Sequence, residues 1–283
     1  MSYKILLLGK NGQLGHEFVN YFNLHQDFRV DAFDHRELDI TDRKKIFLTI
    51  KENAYNLIIN CTAYNTVDLA EDESNLANAV NFLGVRNLAE AAKINNAKLI
   101  HFSTDYIFDG NQKKPYCEYD NPNPLSAYGI SKLYGEKAIR EVYKNYLIIR
   151  VSWVFGGNNN FVTKLINWSK QNQELEIISD QISSPTYTYD LVKAVLLLIN
   201  KNISGTFHIT NTPVNKIEWA KYILAKINWT GKIHAVNMES VNFIAPRPKY
   251  AILDNSLFQY SVNWEMPDWQ EATDRFLKRI KIL

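Results

Sequence analysis

The chain predicts an α/β fold, a doubly wound parallel sheet carrying a smaller C-terminal α/β lobe, and three observations support that reading. Ile5-Leu6-Leu7-Leu8 is a short, wholly apolar run closed by glycine, as a strand buried on both faces requires. Similar apolar runs recur and alternate with helix-like segments as far as Val151. Beyond Val151 the segments are shorter, more aromatic and broken by Pro185, Pro213, Pro246 and Pro248.

Taken in order, the Ile5–Leu8 strand leads through Gly9-Lys10-Asn11-Gly12-Gln13-Leu14-Gly15 into a helix expected at Gln13–Phe22. Further strands are expected at 28–33, 57–61, 98–102 and 146–151. Helices are expected at 69–81, 85–94 and 128–143. Right-handed crossovers then bring the loops, and any ligand, to the carboxyl edge of the strands. Residues 1–151 read as a nucleotide-binding domain, and 152–283 mainly as a substrate-facing lobe. Segment 178–210 is expected to contribute to the first, since 191–199 and 205–209 have the pattern of elements returning to the main sheet.

Composition narrows the function classes. Lys and Arg number 32 against 30 Asp and Glu in 283 residues, a net charge of +2 that argues against a nucleic-acid partner. The two cysteines, Cys61 and Cys117, make neither a disulfide framework nor a thiolate zinc cage, and a reducing compartment, the cytoplasm, is expected. No apolar run reaches membrane-spanning length, so no membrane partner is expected. His16, His25, His101, His208 and His234 lack metal-ligand spacing, and no metal is expected.

The glycine loop carries the first chemical signal. Gly9, Gly12 and Gly15, set between a strand and a helix, let the backbone approach a pyrophosphate while the helix N-terminus supplies oriented N–H groups. This is the Rossmann-type arrangement for a dinucleotide. Asp34 follows at the spacing of an acid that takes the adenosine ribose, which favours NAD. Arg36, two residues on, offers a guanidinium for the extra phosphate of NADP, so the residues leave both cofactors open. Asp39-Ile40 closes the same region, and Asn60-Cys61-Thr62-Ala63-Tyr64-Asn65 ends a strand where the backbone passes the cofactor.

The second signal is Tyr128-Gly129-Ile130-Ser131-Lys132. A tyrosine and a lysine four apart share one helix face, so a phenol and an ammonium meet near one point. The ammonium is expected to lower the phenol's pKa. Thr104 ends the 98–102 strand and projects its hydroxyl at the same edge.

These residues resemble the extended short-chain dehydrogenase/reductase superfamily and, within it, the dTDP-4-dehydrorhamnose reductase group. The glycine loop and the Tyr128–Lys132 pair resemble the superfamily at large. The runs Ser103-Thr104-Asp105-Tyr106-Ile107-Phe108-Asp109-Gly110, Ser152-Trp153-Val154-Phe155-Gly156 and Asp180-Gln181-Ile182-Ser183-Ser184-Pro185-Thr186-Tyr187 are similar to that reductase group in particular. The resemblance implies NAD(P)H-dependent reduction of the C4 keto group of a dTDP-sugar, with NADPH as cofactor and NADH as an alternative. It implies that Tyr128 protonates the sugar oxygen, that Lys132 holds the nicotinamide ribose and that Thr104 hydrogen-bonds the carbonyl. It places Asp105, Trp153 and Arg247 on the substrate, and Gly9, Asn11, Gly12, Gln13, Leu14, Gly15, Asp34, Arg36, Asp39, Ile40, Thr62, Ala63, Tyr64 and Asn65 on the cofactor. A homodimer accords with the superfamily.

The chain departs from the group at Cys61-Thr62, usually two small apolar residues, and at Ala251, usually serine. Rival readings are another sugar-nucleotide 4-reductase, an epimerase, and a non-catalytic subunit similar to the regulatory subunit of methionine adenosyltransferase. A dehydratase needs a glutamate where this chain has Tyr106.

Overall fold

The structure is a computed structural model that describes residues 3–25 and 27–282; Met1, Ser2, Gln26 and Leu283 lie outside the described residues. Five strands follow in the expected order: β1 (Tyr3–Leu8), β2 (Phe28–Phe33), β3 (Leu57–Asn60), β4 (Lys98–Thr104) and β5 (Tyr146–Val151). A sixth strand, Gly205–His208, lies beside β5. Across the sheet the order is Gly205–His208, β5, β4, β3, β1, β2, and every pairing is parallel. The chain leaves β1 toward one edge and returns through β3 to build the other. The crevice for a ligand therefore opens at the carboxyl ends of β1 and β3.

The apolar strands are apolar because helices cover both faces. On one face Ile5, Leu7, Leu57, Ile59 and Ile100 meet Phe18 and Phe22 of helix Gln13–Asn23, and Leu191, Val195 and Leu198 of helix Thr188–Asn200. On the other, Leu6, Leu8, Ile58 and Leu99 meet Ile46 and Ile50 of helix Arg43–Asn53, Val85 and Leu88 of helix Val85–Ile94, and Ile139 of helix Ala127–Val142. Each fully buried Leu or Ile contributes about 1.5–3 kcal/mol. Helix Arg43–Asn53 escapes a periodicity reading because it buries only Ile46 and Ile50; Asp42 starts it by accepting from Lys45 N at 3.0 Å.

One expected helix is corrected. Segment 69–81 is not continuous: Leu69–Asp72 and Ser74–Asn78 are separated by Glu73, and a π-helical turn, Ala79–Gly84, then runs into Val85–Ile94. Buried Asn81 sits in that turn. Its Oδ1 accepts from Tyr64 N at 2.9 Å, while its Nδ2 donates to Tyr64 O at 2.9 Å and Ser131 Oγ at 3.0 Å. The wider turn thus ties the loop after β3 to the helix bearing Tyr128, a use of π-turns common at functional sites.

Beyond β5 a separate core gathers Phe155, Val162, Leu165, Trp219, Ile223 and Phe276, with Trp219 stacked on Trp153 at 5.9 Å between centroids. A parallel pair, Glu174–Ile178 with Lys232–Val236, flanks this core.

Candidate active site

The first part of the site is built by glycine. Gly9 leaves β1 at φ +85°, and a Cβ there would lie 2.9 Å from the Cys61 carbonyl carbon, so β1 and the β3 loop can meet only at glycine. At Gly15 a Cβ would lie 2.1 Å from Gly9 O, so the helix can start hard against the loop only without a side chain. No described side chain caps helix Gln13–Asn23 at Gly12, which leaves its first N–H groups for a ligand.

A cleft of about 560 Å³ opens beside this loop, lined by Gly9, Asn11, Gly12, Asp34, Asp39, Ile40, Thr62, Ala63, Tyr64 and Asn65, all expected cofactor positions. The remaining expected positions lie elsewhere. Gln13 turns toward the C-terminal half, where its Oε1 accepts from Gly157 N at 3.2 Å and Asn160 Nδ2 at 3.1 Å. Leu14 packs on the core, Gly15 is buried, and Arg36 stands outside on Asp34.

At the adenosine end, Asp34 accepts from Asn11 Nδ2 at 2.9 Å, from Arg36 N at 2.9 Å and from Arg36 Nη2 at 3.1 Å. Desolvation opposes ionisation of Asp34, but the Arg36 guanidinium and the N–H groups of Arg36 and Glu37 outweigh it and hold the carboxyl below its ordinary value. The Arg36 side chain is 76 % exposed and can turn away from Asp34. Uncapped helix N–H groups, a glycine cradle and a carboxylate beside an exposed guanidinium fit a dinucleotide. Cys61 packs against the core, and burial pushes its thiol up, which suits a packing role rather than a reactive one.

Thr104, Asp105 and Tyr128 come together where β4 meets helix Ala127–Val142, and Lys132 of that helix reaches the Phe102 carbonyl of β4. Ser126 caps that helix, accepting from Gly129 N at 3.2 Å. Thr104 Oγ1 donates to Asp105 Oδ1 at 3.1 Å, and its hydroxyl favours ionisation of the Tyr128 phenol. Asp105 is 3 % exposed; desolvation pushes its carboxyl up to about 7 against hydrogen bonds from Thr104 and Ser183.

The expected tuning of Tyr128 by Lys132 is corrected. Desolvation, with the Asp105 charge adding to it, pushes the Tyr128 phenol up to about 12. Lys132 is turned elsewhere, donating from Nζ to Phe102 O at 2.6 Å. Desolvation brings the Lys132 ammonium down to about 8 against the attraction of Glu136. Glu136 is itself buried, its two oxygens accepting from Arg150 Nε at 3.0 Å and Nη2 at 2.9 Å.

The substrate side is set by Trp153 and Arg247. Trp153 has φ +40°, a left-handed conformation that is strained for a tryptophan and that aims its ring from the chain turn after β5. Arg247 is already engaged: its Nη2 donates to Asp68 Oδ2 at 2.6 Å, and its guanidinium lies 3.6 Å from the Phe243 ring centroid. Its charge also favours ionisation of the Tyr106 phenol, against burial. Two neighbours escaped the sequence reading. Ser183 Oγ donates to Asp105 Oδ2 at 3.1 Å, from within a run whose likeness to the reductase group could have pointed to it. Lys216 Nζ lies 5.2 Å from the Trp153 ring centroid and donates to Gln181 Oε1 at 2.9 Å, but in sequence Asn215-Lys216 reads only as a helix start.

Among the described residues no helix is long and apolar enough to cross a membrane.

Known proteins share this fold. A dTDP-4-dehydrorhamnose reductase from Bacillus anthracis, solved in complex with NADP, superposes with a TM-score of 0.95 at 36% identity, covering 99% of this chain and 100% of that one. The corresponding Clostridium acetobutylicum structure gives a TM-score of 0.95 at 35% identity, covering 98% of this chain and 99% of that one. The dTDP-4-dehydrorhamnose reductase of Aggregatibacter actinomycetemcomitans is 33% identical over 285 residues, 95% of this chain and 96% of that protein. The profile of the RmlD substrate binding domain family matches residues 3–282, and the chain belongs to that family.

Proposed function

We propose that this protein reduces the C4 keto group of dTDP-4-dehydro-L-rhamnose to give dTDP-L-rhamnose, in nucleotide-sugar supply for cell-surface polysaccharide, with NADPH as cofactor and NADH as an alternative. The observation that carries this reading is the meeting of Thr104, Asp105 and Tyr128 at the sheet edge that also bears the glycine cradle.

In this reading Gly9, Gly12 and the uncapped helix N-terminus hold the pyrophosphate, Asp34 takes the adenosine ribose, and Arg36 swings onto a 2′-phosphate. Tyr128 and Lys132 hold the nicotinamide ribose. The reduced nicotinamide, when bound, supplies the hydride for the keto carbon. Tyr128 supplies the proton: a phenol pushed up to about 12 stays protonated at neutral pH, the form that an acid in a reduction needs. Thr104 hydrogen-bonds the carbonyl oxygen and fixes it toward Tyr128. Asp105 and Ser183 face the sugar, Trp153 packs on it, and Arg247 with Lys216 takes the nucleotide's charge. Residues 1–151, with 178–210, are assigned the cofactor and 152–283 mainly the substrate. We place the protein in the cytoplasm, as a homodimer acting on small-molecule substrates.

The test is nicotinamide absorbance with purified protein, dTDP-4-dehydrorhamnose and each cofactor in turn. Oxidation that requires the keto sugar supports the reading. Tight dinucleotide binding without oxidation of any keto sugar nucleotide would move the assignment to a non-catalytic subunit.

A further inference from the structure

Lys132 faces more than the cofactor side. Beneath it, β4 and β3 lie in parallel register, with His101 beside Asn60. Both side chains are buried, at 0% and 1% exposure. His101 Nε2 lies 3.4 Å from Lys132 Nζ, and His101 Nδ1 lies 3.1 Å from Asn60 Nδ2.

Hydrogen-bond direction runs one way along this chain. Asn60 Oδ1 accepts from Thr62 N at 3.0 Å and from Thr62 Oγ1 at 2.6 Å. A backbone N–H can only donate, so the Asn60 oxygen must face Thr62 and its NH2 must face His101. His101 Nδ1 is then an acceptor, and the neutral ring carries its proton on Nε2, directed at Lys132. An N–H aimed at an amine hydrogen-bonds its lone pair; aimed at an ammonium, it repels it.

We propose that Asn60 and His101 are positioning residues for Lys132: Asn60 fixes the His101 tautomer, and the resulting Nε2–H favours the amine form of Lys132 over its ammonium. Burial already lowers the Lys132 ammonium, and this contact acts in the same direction. The other groups facing Lys132 are few. Glu136, one turn along the same helix, favours the ammonium, but its charge is shared with Arg150 of β5 and with Arg140. Phe102 O accepts from either form. Burial keeps His101 neutral, with Lys132 adding to that effect and Glu136 opposing it.

The inference rests on the reductase reading for its consequence, but its first test needs no substrate. In the full chain with 15N-labelled histidine, two-bond 1H–15N spectra are expected to show the His101 proton on Nε2. A proton on Nδ1 overturns the proposal, whether or not the protein proves to be a reductase. In Asn60→Asp the carboxylate still accepts from Thr62 N but also accepts a hydrogen bond from Nδ1–H, so the ring proton moves from Nε2 to Nδ1 and Nε2 accepts from the ammonium. The basic limb of the kcat profile then moves up by about one pH unit or more, with KM for the sugar nucleotide little changed. A reversed tautomer with an unmoved limb overturns the proposal. If Asn60→Asp does not fold, His101→Leu removes the donor and is expected to move the limb in the same direction; an unmoved or lowered limb overturns it.

Discussion

Glu136→Gln tests how the catalytic helix is anchored. Glu136 is fully buried and receives two hydrogen bonds from Arg150, while Arg140 Nη2 lies 2.6 Å from Oε2. Burial opposes its charge, yet the arginines hold the carboxyl down to about 2. Against an ordinary value of 4.5, that corresponds to about 3 kcal/mol of preference for the charged form. The neutral amide keeps one acceptor oxygen but leaves the buried Arg150 guanidinium unneutralised, and breaking a buried pair costs ~3–5 kcal/mol. The expected loss is therefore about 3 kcal/mol, or roughly 6 °C in Tm for a chain of this size. The sign with pH follows from the depressed value: this stabilisation is complete above the ordinary carboxyl range and fades as pH falls toward 2. Urea unfolding of both proteins from about pH 7 to about pH 3 should show the difference shrinking with acid. Loss of Glu136 also withdraws the attraction that raises Lys132, so the basic limb of activity should move to lower pH. A stability difference below about 1 kcal/mol, or one constant with pH, would refute the reasoning.

Two further changes address the cofactor and the sugar. Gly15→Ala places a methyl 2.1 Å from Gly9 O and should weaken dinucleotide binding by roughly tenfold or more, read by quenching of protein fluorescence; unaltered affinity would contradict the cradle. Asp105→Asn removes a carboxyl that burial pushes up to about 7, a group whose ionisation destabilises the fold as pH rises from the ordinary carboxyl range through 7. The variant should melt higher than wild type at about pH 8 and show no such gain at about pH 4, while its kcat/KM for the keto sugar falls.

Much of the cofactor half was legible because its signals are local. The β1 run, the three glycines and Asp34 each act within a few residues, and the structure places Gly9, Gly12 and Asp34 around one cleft. Tyr128 and Lys132 were legible by helix spacing, but the direction of Lys132 was not. That direction depends on Phe102 and His101, thirty residues or so away in sequence and adjacent only once β4 packs on the helix. The break at Glu73 and the π-turn around Asn81 were hidden for a similar reason. Segment 69–81 has a helical composition, and the turn is stabilised by contacts to Tyr64 and Ser131 that no local pattern encodes. Arg247 was visible as a cation, whereas its pairing with Asp68 joins residues 179 apart. Lys216 left no mark, since a lysine opening a helix after an Asn cap is ordinary surface pattern; Trp153 and Gln181 make it otherwise.

The most direct test of the central claim follows a labelled hydride. With deuterium on the transferring position of reduced nicotinamide, wild-type protein should deliver the label to C4 of the dTDP-sugar, read by mass spectrometry and NMR of the product. Tyr128→Phe should still bind the cofactor but transfer label at least about 100-fold more slowly at saturating cofactor, as loss of a proton donor demands. Label at C4 with wild-type speed in the variant would contradict the assignment of Tyr128 as the acid. Absence of label at C4 in wild type would contradict the reductase account itself.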